Sequence, residues 1–160
     1  MTSVPEGVPG TFALKVGVLD TGITSHPDLD ANRVGGYDFV SHAWVGNDGT
    51  GRDSDPSDPG DWVAYADSVG LTFGGFFEGC PEEDSSWHGS HVAGTIAAVT
   101  NNSTGGAGVA FGAKVVPVRV LGKCGGYTSD IADGIVWAAG GSVSGVPVNT
   151  HAASVINMSL

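Results

Sequence analysis

The stretch "LKVGVLD", residues 14 to 20, is a short apolar run that ends on an acid and the turn Thr21-Gly22. Its length and its valines are those of a buried strand bounded by a turn. The run predicts a strand whose carboxyl end delivers Asp20. Two more runs read the same way, "AKVVPVRVL" at 113–121 and "ASVINMSL" at 153–160. Pro117 makes the second an imperfect central strand, because proline has no N–H for the ladder.

Two helices belong with these strands. Residues 87–99 carry Val92, Ile96 and Val99 at helical spacing, with Ser85 or Ser86 placed to cap the start. Residues 128–139 carry Ile131, Ile135 and Ala138, with Thr128 or Ser129 as cap and Gly140 as stop. Strand, long excursion, helix, strand, helix, strand is the order of an α/β domain with a parallel sheet. Function in such sheets collects at the carboxyl ends of the strands.

The excursion, about residues 43–86, is different. "GNDGTGRDSDPSDPGDW" has little periodicity and reads as a long loop, a kind of segment that is usually functional or disordered. Trp62, Tyr65, Phe73, Phe76 and Phe77 favour an ordered insertion packed on the domain.

Composition narrows the function. The chain has 160 residues, 41% of them hydrophobic and 14% charged, which argues for a globular domain with a core. Its net charge of −11 repels phosphate backbones and anionic membrane surfaces, so neither nucleic acid nor a membrane is an expected partner. No apolar run is long enough to span a bilayer. The opening "MTSVPEGVPG" lacks the basic and apolar regions of a signal peptide.

Asp20 has a site-like placement, although an acid there also serves as an ordinary turn cap. His88 falls in the first turn of its helix, where the dipole favours the neutral ring. A carboxylate nearby would favour the charged form and fix the tautomer. Together they describe a general base with an orienting acid. A zinc site of Asp20, His88 and His91 is the rival, although its His pair lacks the HExxH spacing. "LGKCGG" and "NNSTGGAGVAFGA" are weak phosphate-loop signals. Cys80 and Cys124 form no CxxC motif. From spacing alone they are a disulfide or two buried thiols.

Four stretches together, "VGVLDTGITSHPDL" (16–29), "HGSHVAGTIAA" (88–98), "GVAFGAKVVPVRVL" (108–121) and "VINMSL" (155–160), resemble the subtilisin-like serine proteases. They stand in that family's order. The insertion and the two cysteines look most like its secreted bacterial branch.

The resemblance implies a three-layer α/β/α fold with a mostly parallel sheet, and peptide hydrolysis by a Ser-His-Asp triad in the chain order Asp, His, Ser. Asp20 falls on the triad Asp and His88 on the triad His. His91 falls on a structural histidine, with Gly89 and Gly94 letting the helix pack closely. Gly125, Gly126 and Tyr127 fall on one wall of the substrate cleft, and Ser159 and Leu160 on the other. Calcium is the implied cofactor, held by Asp28 and Asn102 with backbone oxygens near Val99 and Thr104. Asp48, Asp53, Asp55, Asp58 and Asp61 are candidates for a second ion, or for a solvated acidic loop. Secretion makes Cys80–Cys124 pairing the expectation.

The family's oxyanion Asn and its G-T-S-M-A nucleophile block are not in these 160 residues. The chain is therefore expected to be the amino-terminal part of a peptidase domain with the insertion at about 43–86. Such a part is expected to be inactive alone. Its expected partners are a polypeptide substrate, the carboxy-terminal half of the domain or a propeptide. A non-catalytic peptide-binding domain is the alternative.

Overall fold

The computed structural model describes residues 14–160, so the opening segment read for a signal peptide lies outside the described residues. The three predicted strands form as β1 (Lys15–Asp20), β3 (Lys114–Arg119) and β4 (Val155–Met158). A fourth strand, β2 (Tyr37–Asp38), was not legible in the sequence. The sheet order is β2-β3-β1-β4, and every pairing is parallel.

Strand β3 is central, with Pro117 opposite Val18 of β1. The proline is tolerated because β2 is interrupted beside it. A Cβ on Gly36 would lie 2.9 Å from Pro117 Cγ, and Gly36 has φ +120°. Only glycine enters that conformation freely. Pairing on that side resumes at Tyr37 with Val118.

The predicted helices are α3 (His88–Ala97) and α4 (Thr128–Ala138). The shorter α1 (Ala43–Gly46) and α2 (Tyr65–Ser68) lie in the insertion. Each sheet face receives one long helix. Val16, Val18 and Val115 meet Ala93 and Ala97 of α3 on one face. Leu19, Val116, Val118 and Val120 meet Trp137 and Ala138 of α4 on the other. The alternation along β1 sends successive side chains to opposite faces. This is the expected α/β/α sandwich.

Helix α4 stops where the sequence predicts. Gly140 has φ +88°, and the Gly140 and Gly141 N–H groups donate to the Trp137 and Val136 carbonyls. Its start is one residue earlier than the predicted caps, with Tyr127 at the N-cap and no side-chain cap bond.

The insertion is ordered and tethered. Val40, Val45 and Phe77 form a small apolar cluster, with Cys80 packed on it. Cys80 is disulfide-bonded to Cys124, with a Cα–Cα distance of 6.0 Å. Trp62, Phe73 and Phe77 surround the Lys123 ammonium at 5.2, 5.3 and 5.4 Å. Tyr65 stays exposed. Among the described residues, no helix is long and apolar enough to cross a membrane.

Candidate active site

Parallel strands place their carboxyl ends on one edge of the sheet. Asp20 ends β1, beside β3 and β4. Gly125–Tyr127 lie in the connection from β3 to α4, while Ser159 and Leu160 follow β4. The two predicted cleft walls therefore follow the strands that flank β1. Gly125, Gly126 and Tyr127 are exposed, as are Ser159 and Leu160.

His88 opens α3 and reaches back to Asp20. Its Nδ1 lies 2.9 Å from Asp20 Oδ1 and 2.9 Å from Oδ2. Asp20 is completely buried, whereas the His88 side chain is 44% exposed. A buried acid can hold an exposed ring only if the backbones approach closely, and Gly89 permits that. A Cβ on Gly89 would stand 2.2 Å from the Gly22 carbonyl oxygen and 3.1 Å from Asp20 Cβ. Gly94 has no such duty, since a Cβ there would meet only Leu29 Cδ2 at 3.7 Å. Close packing was expected of both glycines, and only Gly89 provides it.

The residues before His88 are also fixed. Trp87 is the N-cap of α3 in a left-handed conformation, φ 51°. Ser86 Oγ accepts from the His88 N–H at 3.3 Å. Asp61 in turn accepts from the Ser86 N–H and hydroxyl, both at 2.7 Å.

Thr21 links the two sides of the site. Its N–H donates to Asp20 Oδ1 at 2.8 Å. Its hydroxyl donates to Asp58 Oδ2 at 2.6 Å and accepts from the Gly89 N–H at 3.1 Å. Burial raises the Asp58 carboxyl above its ordinary value, against these hydrogen bonds. Thr21 was not singled out by sequence reasoning, and Asp58 was read only as a metal candidate.

The structure distributes the five insertion acids rather than gathering them. Asp48 pairs with Arg119 at 2.7 Å and accepts from the Thr50 N–H. Asp53 accepts from Thr50 Oγ1 and the Asp55 N–H, and Asp55 from the Ser57 N–H. Asp58 and Asp61 hold the bonds given above. Among the described residues, no three His, Cys, Asp or Glu side chains converge as a metal-ligand group. The second-ion set and the Asp20–His88–His91 zinc set therefore have no cluster behind them. His91 is exposed on α3 and accepts from Thr95 Oγ1 through its carbonyl.

Asp28 and Asn102 do meet. Asn102 Nδ2 donates to Asp28 Oδ1 at 2.7 Å, and the Gly106 N–H to Oδ2 at 2.9 Å. These donors lower the Asp28 carboxyl below its ordinary value. The Val99 N–H binds the Asp28 carbonyl, and the Thr104 N–H binds Asn102 Oδ1. Asp28 and Asn102 are thus brought together, while Val99 and Thr104 attach to them through N–H groups and not through the oxygens expected of them.

Residues 12–160 match the model of the subtilase family of peptidases. The chain belongs to that family. It is 64% identical over 145 residues to an extracellular protease of Xanthomonas campestris pv. campestris, covering 91% of this chain and 24% of that protein. It is 58% identical over 146 residues to an extracellular basic protease of Dichelobacter nodosus, covering 91% and 23% respectively. Among solved structures, a protease of Pseudoalteromonas arctica PAMC 21717 superposes with TM-score 0.81 at 61% identity, over 92% of this chain and 41% of that one. The chain thus spans about a quarter of the length of these curated relatives.

Proposed function

We propose that this chain carries the base and the orienting acid of a secreted serine endopeptidase. The observation that carries the reading is the contact of both Asp20 oxygens with His88 Nδ1 at 2.9 Å. A carboxylate there makes Nδ1 the protonated nitrogen and leaves Nε2 as the basic one. In peptide hydrolysis, Nε2 takes the proton of a serine hydroxyl as its oxygen attacks the scissile carbonyl. Asp20 stabilises the imidazolium that results. His88 then returns the proton to the departing amine, and repeats the cycle with water to release the acyl group. The serine of that mechanism belongs to a G-T-S-M-A block, which these 160 residues do not contain. The chain by itself is therefore inactive in this reading. Peptide lies between Gly125–Tyr127 and Ser159–Leu160, pairing as an added strand. The names of the extracellular relatives support secretion, which suits the Cys80–Cys124 disulfide.

The test is peptide hydrolysis by the longer protein that contains this chain. His88→Ala is expected to lower kcat by about 10⁴-fold or more, with KM little changed. Undiminished turnover in that variant would remove the triad assignment.

Calcium would be held by the Asp28 carboxylate and the Asn102 amide oxygen, with backbone oxygens of Val99 and Thr104, in place of the N–H donors that Asp28 and Asn102 bind here. A carboxylate, an amide and carbonyl oxygens are hard ligands of the kind this ion selects. Its contribution would be structural, tying the turn after β1 to the end of α3. Chelation is expected to lower the melting temperature, and Asp28→Asn to abolish that response. An unchanged melting curve with excess chelator would exclude the ion.

A further inference from the structure

We propose that Asp58 is a positioning residue for the Asp20–His88 pair, acting through the hydroxyl of Thr21. The inference rests on the protease reading above and adds to it a residue of the insertion.

A threonine hydroxyl has one proton to give, and an ionised carboxylate can only accept. Thr21 gives its proton to Asp58 at 2.6 Å, so its lone pairs are left for the Gly89 N–H at 3.1 Å. Gly89 directly follows His88, and the Thr21 N–H binds Asp20 Oδ1. One hydroxyl thus touches the backbone beside the base and belongs to the residue beside the acid. Asp58 sets its direction.

Asp58 is itself held firmly. It is 7% exposed, and its other oxygen accepts from the Gly60 N–H at 2.8 Å. Its own N–H donates to the Ile23 carbonyl, while the Ile23 N–H donates to Pro56. The insertion therefore runs beside the turn after β1 and cannot shift alone. Arg119 Nε holds the Thr21 carbonyl at 3.2 Å from the other side. Asp58 faces two donors, Thr21 Oγ1 and Gly60 N. An asparagine there, with its oxygen on the Gly60 N–H, turns its amino group to Thr21 Oγ1, so that bond reverses and the Thr21 hydroxyl proton loses its acceptor.

The experiment uses the longer enzyme, with active sites counted by a serine-directed phosphonylating probe. Asp58→Asn and Thr21→Val are each expected to lower kcat about 10- to 100-fold, with KM within about twofold. The double variant should be no worse than the weaker single, because both cut one chain of bonds. Thr21→Ser keeps the hydroxyl and should stay within about threefold of the parent. If Asp58→Asn fails to fold, Thr21→Val and Thr21→Ser decide the matter between them. A lowered melting temperature with kcat per titrated site unchanged would reduce Asp58 to a structural acid and overturn the proposal. So would strictly additive losses in the double variant. Failure of the protease reading would look different, since the parent enzyme would then not cleave peptide at all.

Discussion

Residues 15–24 and 88–98 are held by ladder and helix hydrogen bonds, over a core of Val16, Val18, Ala93 and Ala97. Residues 43–86 contain two four-residue helices and contribute Val45 and Phe77 to a small buried cluster completed by Val40. The second region makes up the difference with separate attachments. Arg52 reaches Asp130 and Asp133 on α4 at 2.6 and 2.7 Å. Asp67 pairs with Lys123 at 2.8 Å, and Asp48 with Arg119. Cys80 is bonded to Cys124. In the first region a defect spreads, because helix and strand must move as units. In the second, each attachment can be cut with a local result.

The sharpest test of the first half is the pair Gly89→Ala and Gly94→Ala. The new methyl at 89 would sit 2.2 Å from the Gly22 carbonyl oxygen, so α3 or the Thr21–Gly22 turn must move. Overpacking of this kind costs roughly 1–3 kcal/mol. It also parts His88 from Asp20, and kcat/KM should fall by about 10²-fold or more. Gly94→Ala meets no close neighbour and replaces a poor helix former. It should be neutral, or stabilise by up to about 1 kcal/mol. Equal effects at the two glycines, in paired melting and rate measurements, would break the account of why they differ.

Next comes the disulfide, whose effect falls on stability and not on the site. Closing a loop of 44 residues is worth about 4 kcal/mol on the chain-entropy view. Cys80→Ser with Cys124→Ser should therefore lower the melting temperature. Limited proteolysis should then open residues 62–86 while α3 stays protected. Cleavage within α3 at the same rate would mean that the insertion and the core unfold together, and the contrast between them would be lost.

The same contrast explains what the sequence revealed. Strands β1, β3 and β4 and helices α3 and α4 carry long apolar patterns, and all five were legible with small errors at the ends. Strand β2 was not, because two residues beyond Gly35 and Gly36 carry no period. Helices α1 and α2 are single turns held by tertiary partners, with no amphipathic stripe to read. Asp20 and His88 stood out by place, one at a strand end and one in the first turn of a helix, and their assignment as acid and base came with the family resemblance. Asp58 was not separable from its acidic neighbours. Its role lies in a hydrogen bond across 37 residues, and only its burial against Thr21 distinguishes it. The sequence left a second ion and a solvated acidic loop open for the whole set, and the structure gives the five acids N–H, hydroxyl and Arg119 partners.

The smallest effect is expected at acid pH, and it separates two carboxylates of the insertion. Lys123 and Thr72 donate to Asp67 and hold it below the ordinary value of 3.8. A carboxylate lowered in the folded state contributes stability that is complete above 3.8 and lost as pH falls further. Asp58 is raised by burial, so its sign is opposite, and protonation above 3.8 does not loosen the fold through it. The helix Tyr65–Ser68 should therefore exchange its amides faster at pH 3 than at pH 5, measured relative to the β1–β3 ladder. Asp67→Asn removes the titrating group and should flatten that difference. If the ladder loosens in step with Tyr65–Ser68, the acid sensitivity belongs to the whole domain. The insertion would then share the core's cooperativity rather than hang from it by separate bonds.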